Sequence, residues 1–180
     1  MKKILMALIP LLLFGGLFIV LYSGLGKDTT KIPSNLIDKP SPDFNLPTLF
    51  TGEMVSKSDL LGRPYLLNVW GSWCPNCRIE HPLVSQIAES GLIDVYGLNY
   101  QDERKNAIRW LNQFGNSYKK ILVDDTSTSI DFGIYGAPET FFIDAEGIIR
   151  HKIVGEITPQ NLQQEIMPLI EKYTVTVGAP

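Results

Sequence analysis

The chain has 180 residues, 44% of them hydrophobic, which fits one ordinary domain with a short appendage and enough apolar side chains for a core. Net charge is −3 at pH 7, and lysine and arginine do not cluster, so nothing marks a nucleic-acid binder. Cys74 and Cys77 are too few and too close together for a disulfide-stapled scaffold, and without a second CxxC pair they do not make up a tetrahedral zinc site.

The N-terminus opens Met1-Lys2-Lys3 and continues in an apolar run from Ile4 to Tyr22, interrupted by Pro10, Gly15 and Gly16 but by no charge. As a helix rising about 1.5 Å per residue the run would cover about 28 Å, close to the hydrocarbon thickness of a bilayer. It is longer than the apolar stretch of about 7–15 residues in a cleavable signal, and Gly24-Leu25-Gly26 is a poor cleavage site. The expectation is a single transmembrane helix over 4–22, retained as an anchor, with 1–3 on the cytoplasmic side; a removed signal is the alternative. Lys2 and Lys3 before the run nearly balance Lys27, Lys31 and Lys39 after it, so charge does not orient the span. Residues 23–42, polar and carrying Pro33, Pro40 and Pro42, read as a tether.

From Asp43 strand-like and helix-like segments alternate. Phe44–Leu49 and Met54–Val55 suit short outer strands, and Ser56–Leu61 a helical turn. Tyr65–Trp70 is an apolar run of the buried-strand kind. A helix is predicted from about Pro75 to Glu89, a strand over Ile93–Asn99, an amphipathic helix over Lys105–Phe114 and a strand over Lys120–Val123. Thr140–Ile143 and Ile148–Val154 flank Asp144-Ala145-Glu146-Gly147, a good hairpin turn. Thr158 caps a last helix that starts at Pro159, runs to about Tyr173 and leaves 174–180 as a tail. A βαβ unit followed by a ββα unit predicts an α/β domain over 43–173 with a mixed central sheet flanked by helices.

Trp73-Cys74-Pro75-Asn76-Cys77 falls where a buried strand gives way to a helix. Free N–H groups and the helix dipole favour an anion at Cys74, and the thiolate is the nucleophilic form. Cys77, three residues on, shares a face of the first turn, so the two sulfurs can join. Pro75 suits an early helical position, where its missing donor is spare.

These residues resemble the thioredoxin superfamily. WCxxC follows an apolar strand, Pro82 lies five residues after Cys77, and Gly-Ala-Pro precedes the late strand from Thr140. A closer resemblance is to the CcmG/DsbE subgroup, the membrane-tethered thiol:disulfide interchange proteins of cytochrome c maturation. It is carried by Leu67–Cys74, Cys77-Arg78-Ile79-Glu80-His81-Pro82, Gly97-Leu98-Asn99-Tyr100 and Gly133–Phe141, with Gly136-Ala137-Pro138-Glu139-Thr140 the most specific stretch. Gln101, where the subgroup often has lysine, is a departure expected at the surface.

The resemblance implies a thioredoxin fold and a cis-proline at Pro138 facing the Cys74–Cys77 disulfide. Trp73, Pro75, Asn76, Ala137 and Glu139 are then the candidate client-contacting residues, with Glu139 in a docking groove or simply a surface loop acid. Asn68 occupies the position of a buried aspartate in many relatives and cannot act as a base. Glu80, one turn beyond Cys77, is the candidate proton acceptor, a solvated helix-face carboxylate being the alternative. His81 and His151 are expected at the surface, and Tyr96, Tyr100 and Trp110 in the core or a groove. No cofactor or metal is called for.

The implied activity is thiol–disulfide exchange with no nucleic acid involved. Clients would be apocytochrome c CxxCH segments or haem-ligation proteins, and the electron donor a membrane thiol reductase. The place is the bacterial inner membrane, single-pass, with the catalytic domain in the periplasm. Pro75-Asn76 lacks the histidine of strongly oxidising relatives, which favours a reductant. A tethered reductant with other clients is the nearest alternative. A copper-site metallochaperone of the same fold would be expected to use CxxxC and a distant histidine.

Overall fold

The computed structural model describes residues 2–24 and 35–174, which fall into two units, an N-terminal helix and a domain carrying the cysteines. The helix, α1, spans Lys2–Gly24 with Pro10 inside it. Its described large apolar side chains, from Ile9 to Tyr22, are all more than half exposed. Among the described residues no helix is long and apolar enough to cross a membrane. The expected anchor therefore rests on the sequence, because the side chains of 2–8, 11 and 24 lie outside the described residues. Met1, residues 25–34 of the expected tether and 175–180 of the expected tail lie outside them too.

In the domain, β1 is Lys39–Pro40, β2 Asn45–Pro47 and β3 Met54–Ser56, followed by a short 3-10 turn at Lys57–Leu60. Then come β4 (Tyr65–Trp70), α2 (Pro75–Glu89), β5 (Asp94–Asn99), α3 (Arg104–Phe114) and β6 (Ile121–Val123). A short α4 (Ser127–Asp131) leads to β7 (Glu139–Ile143) and β8 (Ile148–Val154). The last helix is broken. α5 (Pro159–Asn161) passes through a π-turn, Leu162–Ile166, into α6 (Met167–Thr174). Pro168 has no N–H to offer the Gln164 carbonyl, and the wider turn sits just before it.

The main sheet has the order β1-β8-β7-β4-β5-β6. β4 pairs parallel with β5 and antiparallel with β7, so the sheet is mixed and β4, with all six residues buried, is interior on both faces. Alternation along β4 divides the core. Tyr65, Leu67 and Val69 pack on one face with Leu46, Val55, Phe132 and Phe141. Leu66 and Trp70 face the other way, with Val84 and Ile87 of α2, Trp110 of α3 and both cysteines. Asn68 shares this second face.

One segment covers part of both sheet edges. Lys39–Pro40 pairs with Ile148 and Ile149 of β8, and Asp38 donates its N–H to Ile149 at 2.8 Å. Further on, Leu49 donates to the Ile121 carbonyl at 2.8 Å and Thr48 bridges Leu122 of β6. This corrects the expected tether of 23–42, because Leu36 and Ile37 already pack against the core. The domain begins before Asp43.

Candidate active site

β4 aims the chain at the start of α2, and Gly71-Ser72-Trp73 makes the passage. The Asp102 carboxylate holds it, accepting from Ser72 N–H at 2.6 Å, Ser72 Oγ at 2.7 Å and Asn99 Nδ2 at 3.0 Å. Trp73 Nε1 donates to the Tyr100 carbonyl at 3.2 Å, so its indole folds back over the passage while staying 51% exposed. A β-carbon at Gly71 would lie 2.5 Å from that Nε1, which explains the glycine. Gln101 is exposed, as expected, and holds a φ of 46° in the turn that brings Asp102 round.

Cys74 is the N-cap of α2 and Pro75 its first residue. The Cys77 N–H points at Cys74 Sγ from 3.1 Å, and the two sulfurs form a disulfide with Cα atoms 5.3 Å apart. An amide aimed at that sulfur stabilises negative charge there once the disulfide is reduced. Cys74 is 3% exposed and Cys77 2%, so position on the helix, and not access to solvent, separates them in the oxidised protein. Pro75 and Asn76 are exposed beside them.

Glu80 is 2% exposed and not a solvated helix-face carboxylate. Its Oε1 accepts from Asn68 Nδ2 at 2.8 Å and its Oε2 from Ile157 N–H at 2.7 Å. Asn68 is itself fixed: its Nδ2 also reaches Thr140 Oγ1 at 3.0 Å, and its Oδ1 accepts from the Tyr118 hydroxyl at 2.7 Å. Burial pushes the Glu80 carboxyl up to about 7, against the lowering pull of these two bonds. Burial likewise holds the Tyr118 phenol well above its ordinary value, so it stays a donor. The result is a buried acid, poised near neutrality, one turn from Cys77 on the same helix face. Tyr118 and Thr140 were not legible as site residues. Tyr118 sits in an irregular stretch before β6, and Thr140 reads as an ordinary strand residue.

The Ala137–Pro138 peptide bond is cis, as the resemblance implies. It immediately precedes β7, whose Glu139 pairs with Val69 one residue short of the end of β4, so the proline lies by the strand end that leads to Cys74. Glu139 is neither a surface loop acid nor open to a groove. It is the first residue of β7 and 1% exposed, with Oε1 accepting from Tyr135 N–H at 3.1 Å and Oε2 2.9 Å from Lys152 Nζ. Its contacts therefore run to the loop before Pro138 and to β8. Ala137 is half-buried and packs on both halves of the core.

The expectation for His81 is overturned. It is 4% exposed, its ring 4.5 Å from Trp110 edge-on, with Nε2 3.1 Å from the Gly115 carbonyl. Burial holds its pKa below the ordinary value. His151 is partly exposed, with Nε2 2.7 Å from Glu165 Oε2. Tyr96, Tyr100 and Trp110 are all buried.

A mixed sheet with a CxxC pair at the start of α2 and a cis-proline before β7 defines a thioredoxin-fold thiol:disulfide oxidoreductase. The Redoxin family model matches residues 37–166. The chain is 44% identical over 167 residues to the thiol:disulfide interchange protein DsbE of Pseudomonas aeruginosa, covering 92% of each chain. It is 45% identical over 175 residues to the Escherichia coli K12 protein of that name, covering 93% of this chain and 94% of that one. A crystal structure from Chlorobium tepidum, described as a DsbE-type interchange protein, aligns with a TM-score of 0.64 at 29% identity, over 73% of this chain and 95% of that one. The chain belongs to the Redoxin family and, within it, to the DsbE-type thiol:disulfide interchange proteins.

Proposed function

We propose that the chain is a membrane-anchored reductant of client disulfides in cytochrome c maturation, acting in the periplasm on apocytochrome c CxxCH segments or on haem-ligation proteins. The observation that carries the exchange chemistry is the buried Glu80 one turn beyond Cys77, poised near neutrality to take a thiol proton. The reducing direction rests on Pro75-Asn76, which lacks the histidine of strongly oxidising relatives. Reduced Cys74, as thiolate, attacks one sulfur of the client disulfide; a mixed disulfide forms and the first client thiolate leaves. Cys77 gives its proton to Glu80 and attacks Cys74 Sγ. The second client thiolate leaves, and the Cys74–Cys77 disulfide closes. Two electrons have passed to the client, and a membrane thiol reductase restores the dithiol. Pro138 and Ala137 flank the docked segment, with Trp73, Pro75 and Asn76 along its other side. The apolar run 4–22 serves as the anchor, supported by its length and the exposure of its described side chains. A metallochaperone reading gains no support from the geometry, because among the described residues no three of His, Cys, Asp and Glu converge on one point.

The test is to express Cys77→Ser and Cys74→Ser in cells with an active cytochrome c pathway and identify trapped mixed disulfides. Cys77→Ser should accumulate adducts of apocytochrome c or its maturation proteins, and Cys74→Ser should not. Equal trapping by both would reverse the assignment of nucleophile and resolver. Adducts confined to unrelated proteins would favour a tethered reductant with other clients.

A further inference from the structure

Lys152 is a buried cation that the exchange chemistry leaves unused. It lies on β8 opposite Phe141, on the sheet face away from Glu80, and its side chain is 3% exposed. Its Nζ stands 2.9 Å from Glu139 Oε2 and donates to the Gly133 carbonyl at 2.8 Å. It also lies 5.0 Å from the ring centroids of both Tyr135 and Phe141. Glu139 gives its other oxygen to the Tyr135 N–H. The ion pair thus grips the segment from Gly133 to Ala137 at two backbone points, the Gly133 carbonyl and the Tyr135 amide, with a cation–π contact beside the second. Desolvating two charges is costly, and apolar residues of similar volume often stabilise a fold as well. What this pair adds is a set position for a loop. That loop carries Tyr135, 71% exposed, and ends in the cis Ala137–Pro138 bond.

We propose that Lys152 is a positioning residue for client docking: with Glu139 it fixes the 133–137 loop so that the exposed Tyr135 ring and Pro138 present one geometry to an extended client segment. This rests on the proposal that clients dock beside Pro138. Because the pair is neutral overall, its effect is on loop placement and not on long-range attraction.

The experiment compares full-length wild type, Lys152→Met and the double variant Lys152→Met/Glu139→Gln on an oxidised CxxCH peptide and on an unrelated disulfide peptide. The single variant leaves Glu139 buried alone and should lose thermal stability. The double variant removes both charges, keeps an acceptor for the Tyr135 N–H, and should recover most of that loss. Both should nonetheless show KM for peptide raised about tenfold with kcat little changed, the mark of lost docking. With the Gly133 carbonyl released, amide hydrogen exchange across residues 133–137 should be about tenfold faster in the double variant. KM returning to wild type along with stability, or exchange across 133–137 unaltered, would overturn the inference. A wild type that reduces neither peptide would overturn the docking proposal instead, while the exchange measurement would still decide the role of Lys152.

Discussion

Glu80 carries two opposed instructions. Both of its oxygens face donors, Asn68 Nδ2 and Ile157 N–H, which favours the carboxylate, while burial favours the acid and prevails. A rise from 4.5 to about 7 corresponds to roughly 3 kcal/mol between the two states. Since the folded value lies above the unfolded one, the folded oxidised protein binds this proton more tightly and loses stability as pH rises from about 4.5 through about 7. Glu80→Gln should flatten that loss, read as thermal midpoint against pH for the oxidised form. It should also slow closure of Cys77 onto Cys74 about tenfold or more near neutral pH, because no proton acceptor remains. Stopped-flow closure rates equal to wild type from pH 6 to 8 would remove Glu80 from the chemistry.

At the scale of elements, the passage from β4 to α2 is held from outside by the turn after β5. Asp102 accepts three hydrogen bonds, two of them from Ser72, so it sets the approach to Cys74 without lying next to it. Asp102→Ala should cost about 1–3 kcal/mol in denaturant unfolding and slow client exchange by loosening Gly71–Trp73; stability equal to wild type would show the clamp to be ornamental. The clamp was invisible in the sequence, where Ser72 and Asp102 lie far apart. The elements it joins were legible, β4 from its apolar run and α2 from Pro75 at its first position and the CxxC at its start. β1 was not, being two residues long, one of them proline, in a stretch that reads as tether. α4, at five residues of Ser-Thr-Ser-Ile-Asp, has no apolar stripe to announce it. The burial of His81 had a signal that residue type masked. Cys77, Glu80, His81, Val84 and Ile87 follow helical spacing and form the inward face of α2, so position outweighs polarity there. Lys152 had none, because a lysine in a strand flanked by histidine and isoleucine reads as outward-facing.

For the molecule as a whole, the apolar run 4–22 predicts that the chain is recovered with membranes and keeps its N-terminus. Mass spectrometry of detergent-extracted protein should find the Met1 end, with or without Met removal; a soluble form starting near Gly26 would show cleavage. Such anchoring would crowd copies into a plane, and the treatment of the sheet edges then matters. Open strand edges are templates for pairing with a neighbour. Here the stretch from Asp38 to Leu49 pairs along β8 at one end and closes on β6 at the other, and its own outer strand is two residues long and contains a proline. The fold therefore withholds part of each edge of its main sheet from a neighbouring copy, Ile148 and Ile149 at one end and Ile121 and Leu122 at the other.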